Sequence, residues 1–202
     1  DGAGVLTQTP HELLARHLAQ MGFTAPAPGD LALGMIFLPR NNVAQRERAR
    51  KILEETIAEY GLAKITWRDV PVNGDALGSW AQSLRPYIEQ IVVARPATIA
   101  AGDEFERKLY LVRKRATQHI WAESITNFYM PSLSSKTVVY KGLFMAPQLP
   151  VFYTDLNDPD YRTAIAVFHQ RYSTNTFPTW ERAQPFRMLC HNGEINTLQG
   201  NL

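Results

Sequence analysis

The chain has 202 residues, 45% hydrophobic, 20% charged and 10% aromatic, and its 21 Lys+Arg against 19 Asp+Glu give a net charge of +2. That composition belongs to a globular protein and excludes a mainly disordered chain. No window approaches the roughly 18 consecutive apolar residues of a membrane span, and no block of like charge marks a nucleic-acid footprint. Cys190 is the sole cysteine, which excludes an internal disulfide or a thiolate metal cage and suits a reducing, cytoplasmic compartment.

Taken in chain order, Gly2-Ala3-Gly4 reads as a tight turn, because the phosphate-binding fingerprint needs a third glycine where Thr7 stands. Thr9-Pro10-His11-Glu12 predicts a helix start with a capping threonine and a reciprocating glutamate. Leu13, Leu14, Leu18 and Met21 continue that helix to a left-handed exit at Gly22. The nearly continuous apolar run Leu31 to Leu38, closed by Pro39, predicts a buried strand. From Val43 to Tyr60, Ala49, Ile52, Leu53, Ile57 and Tyr60 share one helical face, and Gly61 ends the helix. Ile65 to Val70 and Ile88 to Ala94 read as strands, with a short helix near Trp80 between them. Asp103 with Glu106 predicts another capped helix, carried by Phe105, Leu109, Val112 and Ala116 toward His119. Beyond it, strands are expected at Thr137 to Tyr140, Leu149 to Tyr153, Ala164 to His169 and Met188 to His191. No repeat or linker interrupts the chain, so one domain over residues 1–202 is expected. Its ends, Asp1-Gly2 without a methionine or leader and Gly200-Asn201-Leu202 in a polar stretch, read as a piece of a longer polypeptide.

Several motifs carry no chemistry. The basic clusters Arg46 to Lys51 and Arg113 to Arg115 lie on polar helix faces. No Gly-x-Ser-x-Gly elbow occurs, and His169, Cys190 and His191 lack the paired spacing of metal ligands. Cys190 reads as a small apolar residue within a strand. The informative region is the last third. His169 to Thr176 places Arg171, hydroxyls and an amide together where a strand ends. Arg171 there offers a planar two-pronged donor for a carboxylate, with Thr174 alongside. Asn192-Gly193, after the strand expected at Met188 to His191, is either a strand-end turn or an oxyanion hole made of an amide and an unobstructed backbone N–H.

Arg171-Tyr172-Ser173-Thr174-Asn175-Thr176-Phe177-Pro178-Thr179-Trp180 and His191-Asn192-Gly193-Glu194-Ile195-Asn196-Thr197-Leu198-Gln199-Gly200-Asn201 resemble the glutaminase domain of glutamate synthase large subunits. So do Asp1 to Gln8 with Pro10-His11, Met130 to Gly142, and Tyr153 to Leu156. The resemblance implies a class II glutamine amidotransferase with the N-terminal-nucleophile fold: an α+β, four-layer αββα sandwich of mainly antiparallel sheets, here incomplete at both ends. It implies hydrolysis of glutamine to glutamate and ammonia through the thiolate of an N-terminal Cys. Arg171 would hold the substrate carboxylate with Thr174 in support, and Asn192 and Gly193 would form the oxyanion hole. That Cys is absent from the chain, so residues 1–202 alone are expected to be inactive. The implied partners are a synthase domain of the same parent chain, carrying FMN and an iron–sulfur cluster, and an electron donor that is either ferredoxin or a small NAD(P)H-oxidising flavoprotein subunit, the sequence leaving both open. No cofactor is expected within residues 1–202. The second reading is a nucleophile-less module that binds glutamine or assembles a complex.

Overall fold

The computed structural model describes residues 1–191 and Gly193. In chain order its elements are β1 (Ala3–Gln8), α1 (His11–Gln20), β2 (Leu31–Leu38), α2 (Val43–Glu59), β3 (Ala63–Asp69), α3 (Ser79–Ser83), β4 (Tyr87–Ala94), α4 (Asp103–Ala122), β5 (Tyr129–Ser134), β6 (Thr137–Gly142), α5 (Leu149–Phe152) and β7 (Ala166–His169). They sort into two compact units. One comprises Asp1–Gln8, Pro71–Arg85 and Val139–Leu202, and the other Thr9–Val70 and Pro86–Val138.

The second unit holds an antiparallel sheet in the order β3–β4–β2–β5. β2 forms because its apolar run is buried along its whole length and flanked on both sides by partner strands. Gly34 of β2 allows a close crossing, since a Cβ there would fall 2.7 Å from Ile91 Cγ2 on β4. α2 starts where the Asn42 side chain accepts from Gln45 N, and it buries Ala49, Ile52, Leu53 and Ile57. α4 buries Phe105, Leu109, Val112, Ala116 and Ile120 in the same apolar core. None of the described helices is long and apolar enough to cross a membrane.

Two predicted capping boxes are replaced by other arrangements. α1 begins after Pro10, and Thr9 N donates to the Lys136 carbonyl, so Thr9 continues strand-type pairing instead of capping. α4 begins after Gly102, whose φ of 77° no other residue adopts as readily. Glu106 then turns its carboxylate to Ser135 N, Ser135 Oγ and Ser134 Oγ at the end of β5, at 2.6, 2.6 and 3.0 Å. The expected left-handed exit at Gly22 is present, with φ 84°.

The first unit holds a sheet in the order β6–β1–β7. β1 and β7 run antiparallel, with Gly4 opposite His169 and Thr7 opposite Ala166. The tight turn expected at Gly2-Ala3-Gly4 is instead the start of β1, and its glycines serve close approach. A Cβ on Gly2 would lie 2.5 Å from Tyr172 Cε2, and one on Gly4 would lie 2.5 Å from Lys141 Cβ. The strand expected at Leu149 to Tyr153 is a short helix, α5, with Pro150 in its first turn, where the missing N–H leaves no intrahelical bond unmade. Around it Tyr140, Phe144, Phe152, Tyr153 and Trp180 form an edge-to-face aromatic cluster. Tyr140 Oη donates to Asp155 Oδ2 at 3.0 Å and Tyr153 Oη to the Lys141 carbonyl at 2.9 Å. Burial pushes the Tyr153 hydroxyl upward, so it stays a neutral donor.

Candidate functional site

The site is built at the end of β7. After His169 the chain leaves the sheet, and His169 Nδ1 lies 3.3 Å from Arg171 N. Arg171 and Thr174 are both exposed to solvent. The residue between them and the scaffold is Tyr172. Its ring rests on the Gly2 backbone and its Oη donates to the Thr179 carbonyl at 2.6 Å. Burial raises its hydroxyl above the ordinary tyrosine value, which keeps it a donor. Ser173 opens a turn closed by Thr176 N donating to the Ser173 carbonyl, and Asn175 takes a left-handed φ of 63° within it. Asn is among the few residues that tolerate that conformation.

The strand expected at Met188 to His191 is a reversal instead. Phe186 and Leu189 bridge each other with 2.8 and 3.0 Å backbone hydrogen bonds, and Arg187 turns the chain at φ 51°. Cys190 accordingly lies outside any strand, with its thiol donating to the Phe168 carbonyl at 3.2 Å. Partial burial pushes that thiol up, away from the thiolate form a nucleophile needs. Gly193 N donates to His191 Nδ1 at 2.8 Å. Asn192, the other residue of the expected oxyanion hole, lies outside the described residues, as do Glu194 to Asn201 of the second motif.

The two halves of the expected site meet at Gln184, a residue sequence reasoning passed over. Its Nε2 donates to Ser173 Oγ at 2.8 Å and to the His191 carbonyl at 2.9 Å, and its Oε1 accepts from His191 N at 2.9 Å. Ser173 stands two residues after Arg171, and His191 two before Gly193. Beneath this turn Lys141 is buried at 1% exposure, with Nζ donating to the Glu181 carbonyl at 2.7 Å and lying 4.4 Å from the Phe186 ring centroid. The available signal for both residues was Gly4 in β1, because a small residue in a strand marks where something else comes close.

Among the described residues no group of three or more His, Cys, Asp or Glu is arranged to hold a metal ion. The arrangement comprises an exposed guanidinium and hydroxyl after one strand end, and a Gly N–H on the reversal tied to it. The family profile of class II glutamine amidotransferases matches residues 1–202. The chain therefore belongs to the class II glutamine amidotransferases, and its α+β fold with antiparallel sheets is of the N-terminal-nucleophile hydrolase kind. Over its full length it is 45% identical to the glutamate synthase (NADPH) large chain of Azospirillum brasilense. It is 46% identical to ferredoxin-dependent glutamate synthase 2 of Synechocystis sp. and 41% identical to the glutamate synthase (NADPH) large chain of Bacillus subtilis. It spans 13% of the length of each of these relatives.

Proposed function

We propose that this chain is part of the glutaminase domain of a glutamate synthase, which hydrolyses glutamine to glutamate and releases ammonia for the reductive amination of 2-oxoglutarate. The observation that carries the reading is the tie through Gln184 between the Arg171 strand end and the His191–Gly193 reversal. A site for glutamine needs a cationic fork for the α-carboxylate and N–H donors for the oxyanion formed at the side-chain amide. Arg171 supplies the first, supported by Thr174, and Asn192 with Gly193 the second. The Gly193 N–H is engaged by His191 Nδ1, so substrate must take over that donor as the tetrahedral centre forms. A module that only binds glutamine has no use for such donors, and the relatives named above are all glutamate synthases.

Residues 1–202 by themselves do not turn glutamine over in this reading. Their single cysteine, Cys190, carries no α-amino group to act as base, and its thiol is pushed up by burial. The attacking Cys belongs to another part of the parent chain. By likeness to the glutamate synthases, FMN and an iron–sulfur cluster are assigned to a synthase domain of the parent, with either ferredoxin or NAD(P)H, the latter through a small flavoprotein subunit, as electron donor and the cytoplasm as compartment.

The test is Arg171→Lys in the full-length protein. A point charge replaces the planar fork, and KM for glutamine is expected to rise roughly 10- to 100-fold, in line with about 1.5–3 kcal/mol for charge-assisted hydrogen bonds. An unchanged KM removes Arg171 from the site and the reading with it.

A further inference from the structure

We propose that Gln184 is the positioning residue of the amidotransferase site: its side-chain amide sets the main chain of the oxyanion turn and fixes that turn to the strand end that carries Arg171. The inference rests on the glutaminase reading above and goes beyond it by naming the group on which the geometry of the site depends.

Gln184 is 1% exposed, and a buried primary amide must have its donors and acceptor satisfied or it destabilises the fold. Here three of its capacities go to two chain segments. Oε1 and Nε2 face the N–H and carbonyl of His191 as a neighbouring strand would, each at 2.9 Å. The remaining Nε2 hydrogen reaches Ser173 Oγ at 2.8 Å, and Ser173 is itself 4% exposed. One side chain therefore does what a ladder of backbone pairs does elsewhere, at a place where the chain reverses and no ladder exists.

The amide is held on its own side as well. The Gln184 carbonyl packs against the Gly4 position, which leaves no room for a Cβ. Lys141 grips the preceding Glu181 carbonyl and lies against the following Phe186 ring. With both flanks fixed, the side chain loses its rotamer freedom on folding and not on substrate binding. His191 is in turn the residue whose Nδ1 receives Gly193 N–H. Displacing the His191 main chain moves the ring and the Gly193 donor together, and an oxyanion donor contributes only when it stands within about 3 Å of where the oxyanion will form. The substrate carboxylate is gripped elsewhere, at Arg171, so the two effects separate in kinetics.

The experiment is Gln184→Met in the full-length protein, which keeps length and volume and removes all three hydrogen bonds. Glutamine turnover is expected to lose on the order of 10- to 100-fold in kcat, short of the 10²–10³ lost when an oxyanion donor is deleted. KM for glutamine and inhibition by glutamate are expected within threefold of the parent. Hydrogen exchange of the peptide covering residues 186–193 is expected to accelerate, with β2 unchanged. An unaltered kcat overturns the proposal. So does a joint fall of kcat, glutamate affinity and β2 protection, which marks a residue needed only for folding. If the unsubstituted protein shows no glutamine turnover, the glutaminase reading fails, and the exchange data still decide whether Gln184 holds the turn.

Discussion

β2 and the stretch from Gln184 to His191 are of similar length and are held in place by different physics. All of β2 is buried, with β4 paired along one edge and β5 along the other. Its location is an average over many weak apolar contacts and repeated backbone bonds, so no one atom decides it. Residues 184–191 have one short bridge, exposed Met188 and Leu189, and a left-handed residue at Arg187. They stand where they do because of a few directional contacts: the hydrogen bonds of Gln184 and Cys190, and Lys141 Nζ over the Phe186 ring. Burial builds a scaffold tolerant of small changes, whereas polar tethers fix a site finely and lose it to one substitution.

The scaffold side of this contrast breaks by volume. Ile36 in β2 is fully buried within the apolar core, and Ile36→Ala is expected to cost about 2–5 kcal/mol through lost burial and the cavity left behind. Hydrogen exchange in the full-length protein is expected to show that loss spread across β2, β4 and β5. A loss confined to residue 36 and its neighbours would mean that the sheet is less cooperative than its pairing implies.

The tethered side breaks by a single methyl group. In Gly4→Ala the new Cβ meets the Gln184 carbonyl oxygen and Lys141 Cβ, and overpacking of this kind costs about 1–3 kcal/mol. The expected result is reduced glutamine turnover and faster exchange at 184–191, with β2 protection kept. Equal loosening of both regions would erase the distinction. Smaller again is Asn42→Ala, which removes the side-chain acceptor for Gln45 N at the start of α2. About 1 kcal/mol is expected, read as fraying of the first turn of α2 without any change in turnover.

The same contrast explains what could be read from the sequence. The apolar run 31–38, the buried stripes of α2 and α4 and the exit at Gly22 follow from periodicity and glycine chemistry, and the structure has them. Leu149 to Tyr153 misled because a short apolar run fits a strand or a helical turn equally, and Pro150 decides for the helix by tolerating its first turn. Met188 to His191 misled because nothing in Arg187-Met188 announces a reversal, which usually carries Asn or Gly. Arg171 and Thr174 were legible as polar groups following a strand, and they lie exposed there. Gln184 was not legible, because its importance comes from what it touches, and Ser173 and His191 become its neighbours only when the chain has folded.

The smallest expected effect tests whether burial in the scaffold is wholly apolar. Glu89 on β4 pairs with Ile36 in register and is 4% exposed, yet its Oε2 has no hydrogen-bond partner and stands 3.7 Å from Arg50 Nε. Burial raises its pKa, Arg50 and Arg46 on α2 oppose the rise, and Asp69 on β3 with Glu47 on α2 adds to it. A carboxyl with a folded-state pKa above its unfolded value binds its proton more tightly when folded. Its contribution is therefore favourable at low pH and declines as pH climbs from the unfolded value, about 4.3, through the higher folded one. Glu89→Gln removes that titration. Its stability, relative to the parent, is expected to rise across the same interval and then level off, as read from the exchange protection of β4 at several pH values. A relative stability that falls instead would mean that the Arg50 ion pair outweighs the burial of the carboxylate, and that charge as well as apolar surface holds this sheet.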